Sequence, residues 1–144
     1  MAQNNVKTPL HLWIVGLVSL LWNAMGAFDY SATELRLEFY MAQFTQEQLD
    51  YFYGFPAWVI AAWAIAVWSS LLGSVGLLLR RRWAVWLFGI SIVGLAVTTL
   101  HNAVLTNGFE IMGNVAVIFT IVIWVIALLL LLYSSKMAGR GVLS

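Results

Sequence analysis

The stretch "LLGSVGLLLRRRWAVWLFGI" (residues 71–90) sets three arginines between two apolar runs. Followed outward, the first run reaches back to about residue 56 and the second continues to about residue 105. Two more runs of the same kind cover about 10–28 and about 111–133. Each has roughly 20 residues or slightly more, enough at about 1.5 Å per residue to cross a hydrocarbon core about 30 Å thick. Inside lipid every backbone amide needs an internal partner, so runs this long are helices. They are too long for strands and lack alternation. The expected fold is all-α: a four-helix transmembrane bundle, one integral membrane domain over residues 1–144.

Composition points the same way. The chain is 62% hydrophobic and 9% charged over 144 residues, more apolar surface than a soluble domain of this size can hide. A net charge of +1 implies no general attraction to nucleic acid. The absence of cysteine excludes disulfides, thiolate metal sites and cysteine nucleophiles. The first run follows Lys7 and ends among small residues, as a secretory signal would. Its apolar stretch is long for that role, so it is expected to be a retained transmembrane helix.

The charges orient the bundle. Lys7, the cluster Arg80, Arg81 and Arg82, Lys136 and Arg140 all fall on one side. All six acids (Asp29, Glu34, Glu38, Glu47, Asp50 and Glu110) fall on the other, opposed only by Arg36. The positive-inside rule puts both termini in the cytoplasm and makes the arginine cluster a topology and lipid-headgroup anchor. Trp13, Trp83 and Trp86 mark the inside interface and Trp58 the outside one. Trp22, Trp63, Trp68 and Trp124 lie deeper, as packing residues.

Local signals place the ends of the helices. Thr8 caps a helix with Pro9 at its first position, and Pro56 plays the same part for the second span. Asn107-Gly108 is a turn. Gly139 and Gly141 predict a loose tail. The periplasmic connection, about 29–55, holds two capping signatures. Ser31 with Glu34, stapled by Tyr30 and Leu35, predicts a short helix from about Ala32. Thr45 with Gln48, stapled by Phe44 and Leu49, predicts another from about Gln46. Leu37, Tyr40, Met41 and Phe44 share one face of the first; Leu49, Phe52 and Tyr53 share one face of the second. The pair is expected to cap the outer end of the bundle.

Small and polar residues recur at helical spacing and predict inward faces. They are Gly16, Ser19, Asn23 and Gly26; Ala62, Ala66, Ser69, Gly73 and Gly76; and Ser91, Gly94, Thr98 and His101. The fourth span starts with Gly113, Asn114 and Thr120 but ends apolar all round at residues 128–132. Its inner half is therefore expected to face lipid or another subunit.

Projected onto depth, the polar residues gather in the outer half. Asn23, Asp29, Thr98, His101, Asn102, Glu110 and Asn114 form a candidate ligand-binding layer beneath the cap. Glu110 and Asn114, four apart, are expected on one face at the start of the fourth helix. The competing reading is structural: Asn23, His101 and Asn114 bonding helix to helix, and Glu110 at a helix N-terminus. One imidazole with scattered acids is a poor metal set, and His11 lies at the opposite boundary, so neither metal nor cofactor is expected. Catalytic and nucleotide-binding motifs are lacking, as is a midplane acid of the kind a proton-coupled carrier keeps.

Several passages carry a resemblance: Trp22-Asn23 with Asp29-Tyr30, "YMAQFTQEQLDYFYGFPAW" (40–58), "WAIAVW" (63–68) and "LLGSVGLLLRRRWAVW" (71–86). Together they resemble a family of short, uncharacterised four-span bacterial inner-membrane proteins, some labelled sugar transporters. The resemblance covers roughly the first two-thirds of the chain and implies a bacterial inner (cytoplasmic) membrane location. It brings no catalytic residues. Three functions are in view. The leading one is a non-enzymatic accessory or interaction subunit, packing against itself as a homo-oligomer or against a larger membrane complex. The others are a small-solute carrier or binder using the outer polar layer, and a quinone-linked membrane enzyme.

Overall fold

The computed structural model describes residues 6–144, so the first five residues of the expected 1–144 domain lie outside the described residues. It is all-helical, with no strand among the described residues. Four helices are long and apolar enough to cross a membrane: α1 (Leu10–Glu34), α4 (Ala57–Leu78), α5 (Trp83–Leu100, extended by a π-turn over His101–Leu105) and α7 (Asn114–Gly139). Three short helices connect them: α2 (Glu38–Met41), α3 (Gln46–Tyr53) and α6 (Gly108–Met112).

Packing runs in the order α1, α4, α5, α7. The small-residue stripes are what let these helices approach. Gly16, Ser19 and Asn23 are buried on α1, Ala62, Ala66, Gly73 and Gly76 on α4, and Ser91 and Gly94 on α5. The α4–α5 crossing is closest. A Cβ on Gly94 would lie 2.6 Å from the Ala62 carbonyl oxygen and 2.9 Å from the Ala66 nitrogen. Ser91 Oγ donates to the Ala66 carbonyl there at 2.7 Å. Between α1 and α4, Asn23 Nδ2 donates to Ser74 Oγ (2.8 Å) and the Ser70 carbonyl (3.1 Å), while Ser74 Oγ pairs with Ser19 Oγ at 2.9 Å. Ser69, expected on this inward face, is only half-buried; Ser74 is fully buried in its place.

Several expectations are corrected. Thr8 does not cap α1: Pro9 itself occupies the N-cap, and Thr8 Oγ1 accepts from Arg80 Nη1 at 3.1 Å. Pro56 likewise sits at the N-cap of α4. Ser31 and Glu34 do not start a helix, because α1 continues through them to Glu34. Tertiary packing overrides the local signature: Ala32 and Thr33 are buried, and the Tyr30 ring meets Trp63 edge-on at 4.9 Å. The first short helix begins instead at Glu38 and is a single turn. The Thr45–Gln48 box forms as expected, with both reciprocal bonds.

The fourth span differs most. It begins at Asn114, not near Ile111, because Gly113 adopts φ +89° and breaks it from α6. Glu110 and Asn114 therefore lie on different helices. The inner half of α7 does not simply face lipid. Leu130, Ser134 and Met137 are buried, and Leu130 and Met137 join Leu12, Leu77, Ala84 and Phe88 in the core, although Leu129 and Leu132 on the opposite face stay exposed. Nor is the tail loose: Val142 and Leu143 are buried in that core, Ser144 N donates to the Arg80 carbonyl and Arg82 N to the Ser144 carbonyl.

Three helix ends share one device. Arg36 (φ 53°), Arg80 (φ 57°) and Gly141 (φ 80°) follow the caps of α1, α4 and α7 in left-handed geometry. In each, the next residue's amide reaches back across the last turn: Leu37 to Ala32, Arg81 to Gly76, Val142 to Met137. This double-bonded ending satisfies the last carbonyls and turns the chain sharply. It explains why the arginine turn is so tight.

Candidate functional site

The end of the bundle that carries the arginine turn is closed. His11 Nδ1 on α1 and Tyr133 Oη on α7 lie 2.5 Å apart with their rings edge to face, and Leu12 packs in one core with Leu130 and Met137. Toward the cap a cavity of about 760 Å³ is bordered by both helices. On one side stand Asn23, Gly26 and Asp29 of α1; on the other, Ala116, Phe119 and Ile123 of α7. Its floor reaches Phe88 and Leu130, and its roof is made by Tyr40, Phe44, Gln48, Tyr51 and Phe52 of the cap segment.

The seven residues of the polar layer separate. Asn23, Asp29, Thr98 and Asn102 line this single cavity. Asn23 is nevertheless committed to Ser70 and Ser74, and the Thr98 hydroxyl to the Leu95 carbonyl. His101 is buried but does not line the cavity. It stands among the rings of Phe55 (5.3 Å), Trp58 (5.7 Å) and Tyr51 (6.1 Å), with Nδ1 at 3.0 Å from Asn102 Oδ1. Glu110 and Asn114 are exposed and outside the cavity. The break at Gly113 puts them on separate helices, so they do not share the face expected of them.

Two tyrosines outside the expected polar layer hold the roof: Tyr51, and Tyr40, expected only on the apolar face of the first cap helix. Tyr51 Oη donates to Asn102 Oδ1 at 2.7 Å and pairs with Thr106 Oγ1 at 2.8 Å. The Thr106 amide and hydroxyl both bond to the His101 carbonyl, closing the π-turn. A π-turn widens a helix locally, and here it brings Asn102 and Thr106 together under one phenol. Gly108 is needed just below, because a Cβ there would collide with the Tyr51 hydroxyl. Gln48 Nε2 adds a longer bond to the Ile111 carbonyl at 3.4 Å. At the other edge Tyr40 donates its hydroxyl to Asp29 Oδ1. Burial pushes the Tyr51 phenol above its ordinary range. Burial, and then the Asp29 carboxylate, hold Tyr40 higher still.

Aromatic packing stiffens the cap. Phe44 meets Phe52 at 5.0 Å, Phe55 meets Trp63 at 6.0 Å and Phe28 meets Tyr40 at 5.4 Å. The Arg36 guanidinium lies 4.0 Å above the centre of the Tyr53 ring, fastening the end of α1 to α3. The signal for Tyr51 was present in "QEQLDYFYGF" (46–55): Gln48, Tyr51 and Phe55 recur at spacings of three and four.

Chemically, the arrangement can hold a molecule but offers little to transform one. Its polar groups are amides, hydroxyls and one carboxylate, most of them occupied by one another. The chain matches no protein-family model, no curated protein and no solved structure.

Proposed function

We propose that this is a non-catalytic, four-span bacterial inner-membrane protein with both termini in the cytoplasm, which binds a small molecule beneath its periplasmic cap. Orientation rests on the arginine turn and on the gathering of every acid at the other end. The binding reading rests on one observation: four of the seven layer residues border a single cavity of about 760 Å³. That volume falls in the range of about 300–1,000 Å³ that small-molecule sites occupy. A free sugar suits it poorly, because below Asn23 the lining is mostly apolar (Phe88, Ile126, Leu130) and the Ser70 and Ser91 hydroxyls are bonded to helix carbonyls.

The test is extraction in native nanodiscs followed by mass spectrometry of small molecules. The intact chain should carry one species in stoichiometric amount. Ala116→Trp, which fills the cavity from α7, should lose it while keeping the fold. A chain that brings only bulk lipid, in the same proportions as the variant, refutes the reading.

A second reading, an accessory subunit of a homo-oligomer or larger complex, draws on α7, the least buried of the four spans. It predicts co-purification of a protein partner or a second copy in mild detergent; a clean monomer counts against it.

A further inference from the structure

The cavity is graded along its length. The cap end carries Asp29, Tyr40, Gln43, Gln48, Tyr51 and Asn102. The arginine end carries Phe88, Ile123, Ile126, Ala127 and Leu130, and the two serines there, Ser70 and Ser91, spend their hydroxyls on the Val67 and Ala66 carbonyls. Along α5 the lining runs from Phe88 to Asn102, and along α7 from Val115 to Leu130, which at the helical rise is about 21 Å and about 22 Å. That is about two-thirds of the thickness of a hydrocarbon core. A compact polar solute would leave most of this length empty, whereas a molecule with a small head and a long apolar chain fills both halves.

Charge narrows the head. Asp29 is the only acidic residue on the lining, and no lysine or arginine contributes to it among the described residues. Arg36, the one cation near the cap, is engaged with Tyr53. A phosphate, sulfate or carboxylate head would enter a low-dielectric site with no counter-charge, which is unfavourable. A hydroxyl or ammonium head meets an acceptor instead, the Asp29 carboxyl, whose Oδ1 takes the Tyr40 hydroxyl while the Gln48 and Asn102 amide oxygens are bonded within the cap.

We propose that the ligand is a long-chain amphiphile whose headgroup donates hydrogen bonds and carries no negative charge, lying with its head under the cap and its chain along α7. This rests on the reading of the cavity as a ligand site. Without a counter-cation, common anionic phospholipids are poor occupants and the site is selective against the bulk of an acidic bilayer.

The experiment uses the full chain in phosphatidylcholine nanodiscs. Hexadecyl probes with a mid-chain diazirine carry an alcohol, an amine or a sulfate head, and crosslinks are mapped by mass spectrometry. The alcohol and amine should label cavity residues such as Ile123 and Ile126, with the sulfate about tenfold weaker there, equivalent to about 1.4 kcal/mol. Excess unlabelled hexadecanol should compete, and Ala116→Trp should abolish the labelling. Asp29→Lys should invert the order of amine and sulfate; the comparison of heads on the unmodified chain decides the matter if that variant does not fold. Equal labelling of the cavity by sulfate and alcohol overturns the headgroup inference and leaves the site standing. Labelling by every probe confined to outward residues such as Val93, Ile118 and Ile121 overturns both.

Discussion

Gly94→Ala and Gly89→Ala make a matched pair on one helix. Both replace glycine by alanine inside α5, and both gain about 1 kcal/mol in helix propensity. Their surroundings differ. A Cβ on Gly89 meets nothing within 4 Å. A Cβ on Gly94 meets the Ala62 carbonyl oxygen at 2.6 Å, the Ala66 nitrogen at 2.9 Å and the Ala66 Cα at 3.2 Å. These are backbone atoms of α4, so no side chain can rotate away. Relief requires α4 and α5 to separate by roughly 0.5–1 Å, which forfeits a quarter to a half of each dispersion contact along the crossing. It also stretches the Ser91 bond to the Ala66 carbonyl. Overpacking of this kind costs about 1–3 kcal/mol. Gly89→Ala is therefore expected to be neutral or stabilising by up to about 1 kcal/mol, and Gly94→Ala to lie about 1–3 kcal/mol below it. The two variants, unfolded from mild detergent by increasing denaturing detergent and followed by tryptophan fluorescence, should separate in that order. Equal midpoints would refute the close α4–α5 crossing and with it the placement of Ser91 and Ala66.

Other outcomes follow from the same geometry. Tyr51→Phe keeps the ring but removes the hydroxyl shared by Asn102 and Thr106, a loss of about 1–2 kcal/mol by ordinary hydrogen-bond values; hydrogen exchange should rise over 46–53 and 101–106 and stay unchanged at the arginine turn. Arg80→Gly relieves a left-handed residue worth about 1 kcal/mol or more at the expense of one exposed bond to Thr8, so it should match or exceed the unmodified chain in thermal stability, whereas Arg81→Gly should not. The Tyr40 phenol is held above its ordinary value near 10 by burial and by Asp29, so the stability it contributes is complete below about pH 10 and is lost as pH rises toward the folded value. An alkaline titration of thermal stability should show that loss, and Tyr40→Phe should remove it.

The parts of the fold legible in the sequence are those set by local composition. Four long apolar runs and a triple arginine specify four spans and a tight turn whatever else the chain does. Thr45 and Gln48 specify a cap because their bonds close within one turn. Ser31 and Glu34 carry the same signature and fail, because Tyr30, Ala32 and Thr33 find partners that reward continuing α1. The break before α7 hides in an otherwise apolar run, where only the torsion at Gly113 reveals it. The candidate site was half legible. Depth alone grouped Asn23, Asp29, Thr98 and Asn102, since helical rise fixes depth. It could not separate them from His101, Glu110 and Asn114, because rotation about each helix and the π-turn decide which groups turn toward the cavity.

The pairing of His11 with Tyr133 anchors the arginine end of α7. With 26 residues, α7 is about 39 Å long. A tilt of about 5° about that end would carry its far end about 3 Å, roughly the thickness of a hydrocarbon chain, for almost no movement at the histidine. At the far end Gly113 has open space around it and no continuous helix to drag along. A lever of this kind would let packing near the arginines set the width of the space beneath the cap.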